Sequence, residues 1–337
     1  MKAVSYRQSL PISEAASLID IELPDPEPSG RDLLVEVRAV SVNPVDTKVR
    51  MREAPLAGET KVLGWDAAGV VRKAGPAVTL FKPGDEVWYA GSIVRPGCDS
   101  EVHLVDERIV GKKPRSLGFA EAAAMPLTTI TAWELLFDRL AVVPGKSPTE
   151  ATLLIIGAAG GVGSILTQLA RRLTSMTVIG TASRAETTEW VRSLGAHHVI
   201  DHSRPLSAEL RRIGLPQVSH VASLTQTALH FREIVESLMP QGKFGLIDSP
   251  EQLDVLQLKR KSISLHWEFM YTRPVFATAD MISQHRLLTE VADLVDAGVI
   301  RTTLSGHFGR INAENLKRAH ALIESGKAKG KIVLEGF

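Results

Sequence analysis

The chain has 337 residues, of which 44% are hydrophobic and 23% charged, so it is long enough for two domains of ordinary globular composition. The formal net charge of +1 gives no whole-molecule field that would attract nucleic acid or an anionic membrane surface. A single cysteine, Cys98, excludes an internal disulfide and a zinc site built from several cysteines. With no visible signal peptide and no apolar run of membrane-spanning length, these features predict a soluble, cytoplasmic protein.

The first part of the chain has the pattern of an antiparallel β domain. Short alternating or β-branched runs are separated by proline and glycine, which is typical of a barrel-like fold. Helical periodicity begins near Phe119 and is interrupted at Pro126, so we assign residues 1–125 to this domain. The predicted strands are Leu33–Val42, Ala67–Arg72, Glu86–Tyr89 and Glu101–Val105.

The stretch from Leu153 to Arg172 predicts a strand, a glycine-dense turn and an amphipathic helix. Such a junction leaves backbone N–H groups of the first helical turn free, and glycine lets a pyrophosphate approach them. On the pattern G-x-G-x-x-G, Ala158 stands in place of the first glycine. The alternative interpretation is a turn that only lets strand and helix pack closely. We predict that a dinucleotide binds here, at Ala159, Gly160, Gly161 and Val162.

The end of the next predicted strand, Thr177–Ala182, indicates which dinucleotide is bound. A site that prefers NAD carries Asp or Glu at this point to bind the ribose hydroxyls. This chain has Ser183 and Arg184 instead, and a hydroxyl and a guanidinium suit the 2′-phosphate of NADPH. The alternative is that Arg184 is a solvated residue at the start of a helix. We predict NADPH as the cofactor.

Strands and helices alternate from Leu153 to about Val299, which predicts six strands in a doubly wound parallel sheet. We assign residues 126–299 to this dinucleotide-binding domain. The last strand, KIVLEGF, needs a sheet to join, so residues 300–337 are expected to complete the amino-terminal domain. The further predicted elements are strands at 195–201, His220–Leu224, Lys243–Asp248 and Ser262–Phe269, a helix at Ala279–Ala297, and a helix that Asn312 caps.

Several motifs occur in an order that resembles the medium-chain dehydrogenase/reductase superfamily. They are SVNPVDTKVR, GWDAAGVV, FKPGDEV, GAAGGVGS and the ending GKAKGKIVLEGF. Within it, the chain is most similar to the quinone oxidoreductase branch and its zinc-type alcohol dehydrogenase-like proteins. The resemblance implies an α/β fold in which a Rossmann domain is inserted into a GroES-like catalytic domain. It also implies a cofactor in the cleft between the domains and a homodimer or homotetramer.

The resemblance is incomplete where zinc-dependent members of the superfamily have metal ligands. Those members have Cys where this chain has Asn43, and His-Glu where it has Trp65 and Asp66. An amide and an indole are poor zinc ligands beside thiolate and imidazole. A histidine cluster near residue 200 is an alternative metal site, but adjacent residues of a strand point to opposite faces. We therefore predict no metal site.

Without a Lewis acid, hydride addition to a quinone or an α,β-unsaturated carbonyl is favoured over alcohol oxidation, because the enolate product spreads its charge. Asn43 is a candidate donor to the carbonyl oxygen, Tyr89 a candidate proton donor, and Trp65 a candidate apolar wall of the site. Two of them have a purely structural alternative. Asn43, which precedes Pro44, could serve only to make a turn, and Tyr89 could belong to the barrel core.

Other cofactor contacts are expected from the resemblance and from strand ends. The resemblance implies Thr131, in the sequence ITAW, and Lys331 or a neighbouring lysine. Ile247, Phe269 and Met270 end the fifth and sixth predicted strands, on the carboxyl side where dinucleotides bind. The sequence thus predicts a zinc-independent, NADPH-dependent reductase of quinones or enones. The alternatives are a zinc-dependent alcohol dehydrogenase and a non-catalytic NADPH-binding sensor or structural protein.

Overall fold

The computed structural model describes all 337 residues, in two compact units. Unit 1 comprises Met1–Ile130 and Tyr271–Phe337, and unit 2 comprises Thr131–Met270. The strands, in chain order, are β1 Lys2–Tyr6, β2 Ile19–Glu22, β3 Asp32–Val42, β4 Lys61–Val62, β5 Ala67–Ala74, β6 Glu86–Tyr89, β7 Val102–Asp106, β8 Val110–Lys112, β9 Thr152–Ile156, β10 Thr177–Thr181, β11 His198–Ile200, β12 Val218–Ser223, β13 Leu238–Leu246, β14 Ser264–Trp267, β15 Leu304–His307 and β16 Lys331–Glu335.

The helices complete the chain. They are α1 Pro44–Arg52, α2 Phe119–Ala123, α3 Pro126–Trp133, α4 Gly161–Leu173, α5 Ala185–Ser193, α6 Leu206–Arg212, α7 Thr227–Ser237, α8 Leu256–Lys259, α9 Thr272–Phe276, α10 Ser283–Asp296 and α11 Ala313–Glu324. Short 3-10 helices lie at Ala15–Ser17 and Glu107–Ile109, and a π-helix follows α3 at Glu134–Arg139. None of the helices combines the length and the apolar character that a membrane span requires.

Unit 1 is organised around the long strand β3. Its seven-stranded sheet has the order β15-β16-β3-β5-β6-β8, and β7 pairs with β3 beside that path. The half of β3 from Asp32 to Glu36 pairs with β7, and the half from Ala39 to Val42 pairs with β16, both antiparallel. The last strand of the chain therefore joins the amino-terminal sheet. A second sheet, in the order β2-β1-β4, lies in the same unit.

Residues 271–299 group with unit 1, whereas the sequence pattern placed them in the nucleotide domain. The reason is helix α10, which packs on β8. A Cβ added to Gly111 would lie 2.5 Å from Leu288 Cβ, so glycine gives the helix room to approach. At its end, Asp296 accepts hydrogen bonds from the Ser116 backbone N–H and hydroxyl, at 2.8 and 2.7 Å. Helical periodicity predicts the helix but carries no information about which sheet it covers.

Unit 2 contains a parallel sheet in the order β11-β10-β9-β12-β13-β14. This is the doubly wound order in which the first strand lies at the centre and the chain winds outward in both directions. All five residues of β9 are buried, as expected of a strand covered on both faces. Leu154, Phe231 and Phe244 belong to the apolar core of this unit. The six strands and the insertion of this sheet within the barrel-forming sequence confirm the predicted fold class.

A buried histidine makes the stability of unit 1 depend on pH. His320 on α11 is fully buried, and neither ring nitrogen has a hydrogen-bond partner. Burial, and to a smaller extent the charge of Arg50, lowers its pKa from 6.5 to about 3. Between these values the unfolded chain binds a proton that the folded chain does not, so stability is lost as the pH falls below about 6.5.

We expect His320→Leu to raise the free energy of unfolding at neutral pH by about 1–2 kcal/mol, because it removes two unpaired nitrogen atoms. It should also flatten the fall of stability on acidification. Urea titrations from neutral to acid pH measure both effects. His307→Leu, at a half-exposed position, is the control, and its stability should fall on acidification as steeply as that of the native chain. An unchanged acid slope in His320→Leu would contradict the assignment.

Candidate functional site

A lysine and an aspartate form a buried ion pair in unit 1. Lys331, the first residue of β16, is 3% exposed, and Asp66 is fully buried. The ammonium donates to Val42 O at 2.9 Å and to Asn43 Oδ1 at 2.7 Å, and lies 3.2 Å from Asp66 Oδ2. Because an ammonium has three N–H donors, all of them are engaged. The lysine that the sequence assigned to the cofactor is therefore occupied by partners of its own unit.

Asn43 connects this ion pair to the start of α1. Its Nδ2 donates to Asp66 Oδ2 at 3.1 Å and to Ser41 O at 3.3 Å. Its backbone N–H donates to Asp46 Oδ2 at 2.5 Å. Both amide hydrogens and the amide oxygen of Asn43 thus have protein partners. The donor that the sequence proposed for a substrate carbonyl is part of a hydrogen-bonded network.

Burial shifts the pKa values in this network in the direction that favours the neutral form of each group. It raises the pKa of Asp66 to about 6, although the charge of Lys331 opposes the change. It raises the pKa of Asp46 to about 7, where the hydrogen bond from Asn43 and the charge of Lys331 again oppose it. The pKa of Lys331 is lowered by the same burial, against the attraction of both carboxylates. Around neutral pH, the network therefore contains a buried positive charge beside carboxyl groups near their titration points.

Three further polar side chains interact with this network, and the sequence analysis did not predict them. Tyr271 is buried, and burial followed by the charges of Asp46 and Asp66 raises its pKa well above the usual value. Cys98 and Asp99 are buried as well, and burial raises the pKa of each. Neither Cys98 nor Asp99 belongs to a sequence motif that indicates a functional site. Tyr271 could have been found from the sequence, because it directly follows the predicted cofactor contacts Phe269 and Met270.

The two aromatic candidates of unit 1 are both buried. Trp65 is 1% exposed, and its Nε1 donates to Ser92 O at 3.1 Å. The hydroxyl oxygen of Tyr89 lies 3.1 Å from His103 Nδ1, and the two rings stack. Burial lowers the pKa of His103 to about 4, so this imidazole is neutral. In this structure Tyr89 belongs to the barrel core.

The residues at the zinc positions of the resemblance do not suit a zinc ion. Trp65 presents an N–H donor there, which cannot ligate a cation. The amide oxygen of Asn43 already accepts from Lys331, and a metal ion bound beside that ammonium would be repelled by it. No group of three or more His, Cys, Asp or Glu side chains in the structure is arranged to hold a metal ion.

In unit 2, the glycine-dense turn joins β9 to α4. Gly157 has a φ of +82°, and a Cβ on Gly163 would lie 2.4 Å from Gly157 O, so both positions require glycine. Gly160 precedes the helix and no side chain caps it. The N–H groups of Gly161 and Val162 begin the helix and have no helical acceptor. Since residues 159–162 are partly exposed, the turn is suited to an anion.

The strand beside this turn ends without a carboxylate. Ser183 and Arg184 follow β10, the neighbour of β9 in the sheet, and both are exposed. Arg184 directly precedes α5. The hydroxyl of Thr181 accepts from Gly157 N at 3.1 Å, which fixes the turn to the strand end. The structure therefore brings Ser183 and Arg184 to the same sheet edge as the glycine-dense turn.

The remaining predicted contacts lie at other points of unit 2. Ile247 follows β13, is half-buried, and donates its backbone N–H to Ser223 O at 3.3 Å. Phe269 is 50% exposed and Met270 is 4% exposed, and both follow β14, the neighbour of β13. Thr131 is buried within α3. Because parallel strands end at one edge, Ile247 and Phe269 share the edge that carries the turn.

Two family models match this chain, the alcohol dehydrogenase GroES-like domain over residues 29–133 and the zinc-binding dehydrogenase model over residues 194–334. A zinc-type alcohol dehydrogenase-like protein of Staphylococcus aureus is 40% identical over 336 residues, which is 99% of each chain. The chain belongs to this family, within the medium-chain dehydrogenase/reductase superfamily. The resemblance stated from the motifs is confirmed.

Solved structures are also similar to this chain over nearly its whole length. A candidate zinc-dependent alcohol dehydrogenase from Rhizobium etli is 59% identical, with a TM-score of 0.95 over 100% of this chain and 98% of that one. Two mycobacterial structures are 26% identical and cover 99% of each chain. One is a quinone oxidoreductase with a TM-score of 0.81, and one was solved with NADPH and has a TM-score of 0.83. The protein is thus an oxidoreductase with a pyridine-nucleotide-binding fold.

We expect Lys331→Met to lower the free energy of unfolding by about 1–3 kcal/mol, because it removes the buried cationic partner of Asp66 and leaves that carboxyl group to take up a proton. Adding Asp66→Asn should recover part of the loss. Urea unfolding at neutral pH measures the effect. Lys73→Met, which removes the exposed ion pair with Glu27, is the control and should leave stability nearly unchanged. If the two lysine variants behaved alike, the buried pair would not have the role described.

Proposed function

We propose that this protein catalyses the zinc-independent, NADPH-dependent reduction of quinones or α,β-unsaturated carbonyl compounds by hydride transfer. The observation that carries the proposal is the ammonium of Lys331, bonded to Asn43 and beside Asp66 where zinc-dependent relatives have ligands. Alcohol oxidation depends on a Lewis acid to stabilise an alkoxide. Reduction of a quinone or enone forms a delocalised enolate, which needs less stabilisation.

The fit of unit 2 to a dinucleotide supports the choice of cofactor. The turn from Ala159 to Val162 would hold the pyrophosphate at the N-terminus of α4. Ser183 and Arg184 would bind the 2′-phosphate, where no carboxylate repels it. When bound, NADPH supplies the hydride. We assign the nicotinamide half to the residues at the other strand ends and to α3, which are Thr131, Ile247, Phe269 and Met270.

Asn43 is the donor that we propose for the carbonyl oxygen of the substrate. Of its two Nδ2 bonds, the one to Ser41 O is the longer, at 3.3 Å, so its exchange for a developing enolate oxygen costs least. Lys331 holds the amide oxygen and thereby orients the amide. We assign the apolar wall of the site to Trp65, which is buried and directly precedes Asp66 in the chain. Tyr89 is not proposed as the proton donor, because its hydroxyl is paired with His103 within the barrel.

A non-catalytic, NADPH-binding sensor is the second candidate. The observation that favours it is the internal pairing of the polar groups proposed for catalysis, since Asn43, Lys331 and Tyr89 all have partners within unit 1. Turnover separates the two functions. A sensor binds NADPH without consuming it in the presence of quinone or enone acceptors.

We expect the purified protein to oxidise NADPH with benzoquinones or enones much faster than it oxidises simple alcohols with NADP⁺. Because no step uses zinc, activity and folding should be unchanged after treatment with a chelator. Initial rates over a panel of acceptors and alcohols, with elemental analysis of the same sample, give the measurement. One tightly held zinc per chain, with activity lost to the chelator and alcohols as the better substrates, would overturn the proposal in favour of an alcohol dehydrogenase.

Removing the guanidinium of Arg184 tests the proposed preference for NADPH over NADH. Arg184→Ala deletes a charge-assisted hydrogen bond to the 2′-phosphate, so we expect NADPH binding to weaken by about 10- to 150-fold while NADH binding hardly changes. Titration of both cofactors by nicotinamide fluorescence measures the difference. Arg192→Ala, exposed at the other end of α5, is the matched control. Equal losses for both cofactors, or a native preference for NADH, would refute the assignment.

We further propose that the protein assembles as a homodimer or homotetramer. Strand β14 ends the parallel sheet and has one neighbour, so its outer edge carries unpaired backbone groups. Trp267 at the end of this strand is 53% exposed. Pairing with a second copy would cover both features, and sedimentation velocity measures the state directly.

A further inference from the structure

Unit 2 contains two buried glutamates that the proposed function does not use. Glu134 begins the π-helix, and Glu268 follows β14. The side chains of both are 0% exposed. The guanidinium of Arg139 donates its Nε–H to Glu268 Oε2 at 2.8 Å, and its Nη2 lies 3.7 Å from Glu134 Oε2. One cation therefore faces two buried carboxyl groups.

These carboxyl groups cannot both remain ionised. Two buried carboxylates that face one guanidinium repel each other, and burial disfavours the charged form of each. A hydrogen bond from one carboxyl group to the other requires a proton on one of them. Burial, the charge of Glu134 and this bond raise the pKa of Glu268 well above its usual range, against the opposing effect of Arg139. At neutral pH the pair therefore holds one proton.

The pair joins two segments to which we assigned cofactor contacts. Glu134 stands three residues after Thr131, and Glu268 directly precedes Phe269 and Met270. The backbone N–H of Glu268 donates to Leu246 O at 3.0 Å, so the sheet fixes its main chain while the π-helix fixes its side chain. Single π-turns within helices occur frequently at functional sites. The contacts of Arg139 with both carboxyl groups thus link these two segments.

We infer that Glu134 and Glu268 share one proton and, in that form, position Phe269 and Met270 for NADPH. The inference rests on the proposed function for the identity of the ligand. Loss of the proton leaves two like charges beside one guanidinium, and they repel each other and separate. Because each glutamate belongs to a different segment, their separation displaces the cofactor contacts. Glu268 is a positioning residue, since it acts through the residues that follow it.

Arg139, Lys243 and His266 are the other charged or titratable groups around the pair, and comparison with a Glu268→Gln variant separates their effects from that of the pair. His266 on β14 has a pKa lowered by burial and by the charges of Lys243 and Arg139, so its imidazole is neutral above neutral pH. Arg139 stays charged throughout. The 2′-phosphate of the ligand has a second pKa near 6, so it is already ionised in the alkaline range. An alkaline loss of binding that depends on Glu268 therefore reports on the pair.

The dissociation constant of NADPH, followed by nicotinamide fluorescence from neutral pH to about pH 10, tests the inference. We expect binding by the native protein to weaken about fivefold to tenfold over this range. Glu268→Gln, which keeps a neutral side chain at every pH, should give a flat profile. Glu209→Gln on α6, whose carboxylate pairs with Arg212, should follow the native profile. A native profile without alkaline weakening, or the same weakening in Glu268→Gln, would overturn the inference.

Difference infrared spectroscopy tests the shared proton without any cofactor. The spectrum of the native protein minus that of Glu268→Gln, both at neutral pH, should contain the carbonyl band of one protonated carboxyl group, and this difference should vanish on alkaline titration. Glu134→Gln should give the same difference, because the other buried carboxyl groups, those of Asp46, Asp66 and Asp99, are common to all three proteins. A difference spectrum without the band would refute the shared proton. Failure to bind NADPH at any pH would instead refute the cofactor assignment, so the two failures are distinguishable.

Discussion

The buried contact between Lys331 and Asp66 is the interaction on which the architecture of unit 1 depends. It joins the last strand of the chain to the end of β3, the start of α1 and the start of β5, and the lysine lies 288 positions from Asn43. A buried ion pair stabilises a fold only when its remaining hydrogen-bonding groups are satisfied. Here the ammonium has three partners and the carboxylate is further bound by Asn43 and by the Leu127 N–H. Closing the sheet and compensating the buried charge are therefore one event.

The same contact relates the chemistry of this chain to that of its family. The relatives carry the name zinc-type, and the scaffold is shared over nearly the whole length. At two loops this chain has an amide and an indole where, by the resemblance, zinc-dependent members of the superfamily have ligands, and the amide accepts a hydrogen bond from a buried lysine ammonium. A fixed organic cation contributes positive charge without an open coordination position, so it can orient a hydrogen-bond donor but cannot bind an alkoxide as a metal does. This difference is the physical basis of the proposed preference for acceptors whose charge is delocalised.

Local patterns in the sequence were sufficient to predict the secondary-structure elements and the glycine-dense turn. Strand β6 was predicted with its observed bounds, and the six parallel strands were recognised from alternating periodicities and the glycine-dense turn. The partners of Lys331 were not predictable, because GKIVL reads the same whether its lysine is solvated or buried. Glu134 and Glu268 escaped notice for a similar reason, since each looks like a surface residue in its own segment. Pairing across long sequence separations leaves no local periodicity to detect.

The division of β3 between two partners affects the order in which the chain can fold. Its first half pairs with β7, which is synthesised soon after it, but the edge from Ala39 to Val42 waits for β16 at the end of the chain. During synthesis, that edge stays open until β16 has been made, whereas unit 2 is one continuous segment and is complete earlier. The nucleotide unit can thus form while the barrel-like unit remains unfinished. Pairing of β16 with β3 is then the step that closes the sheet of unit 1.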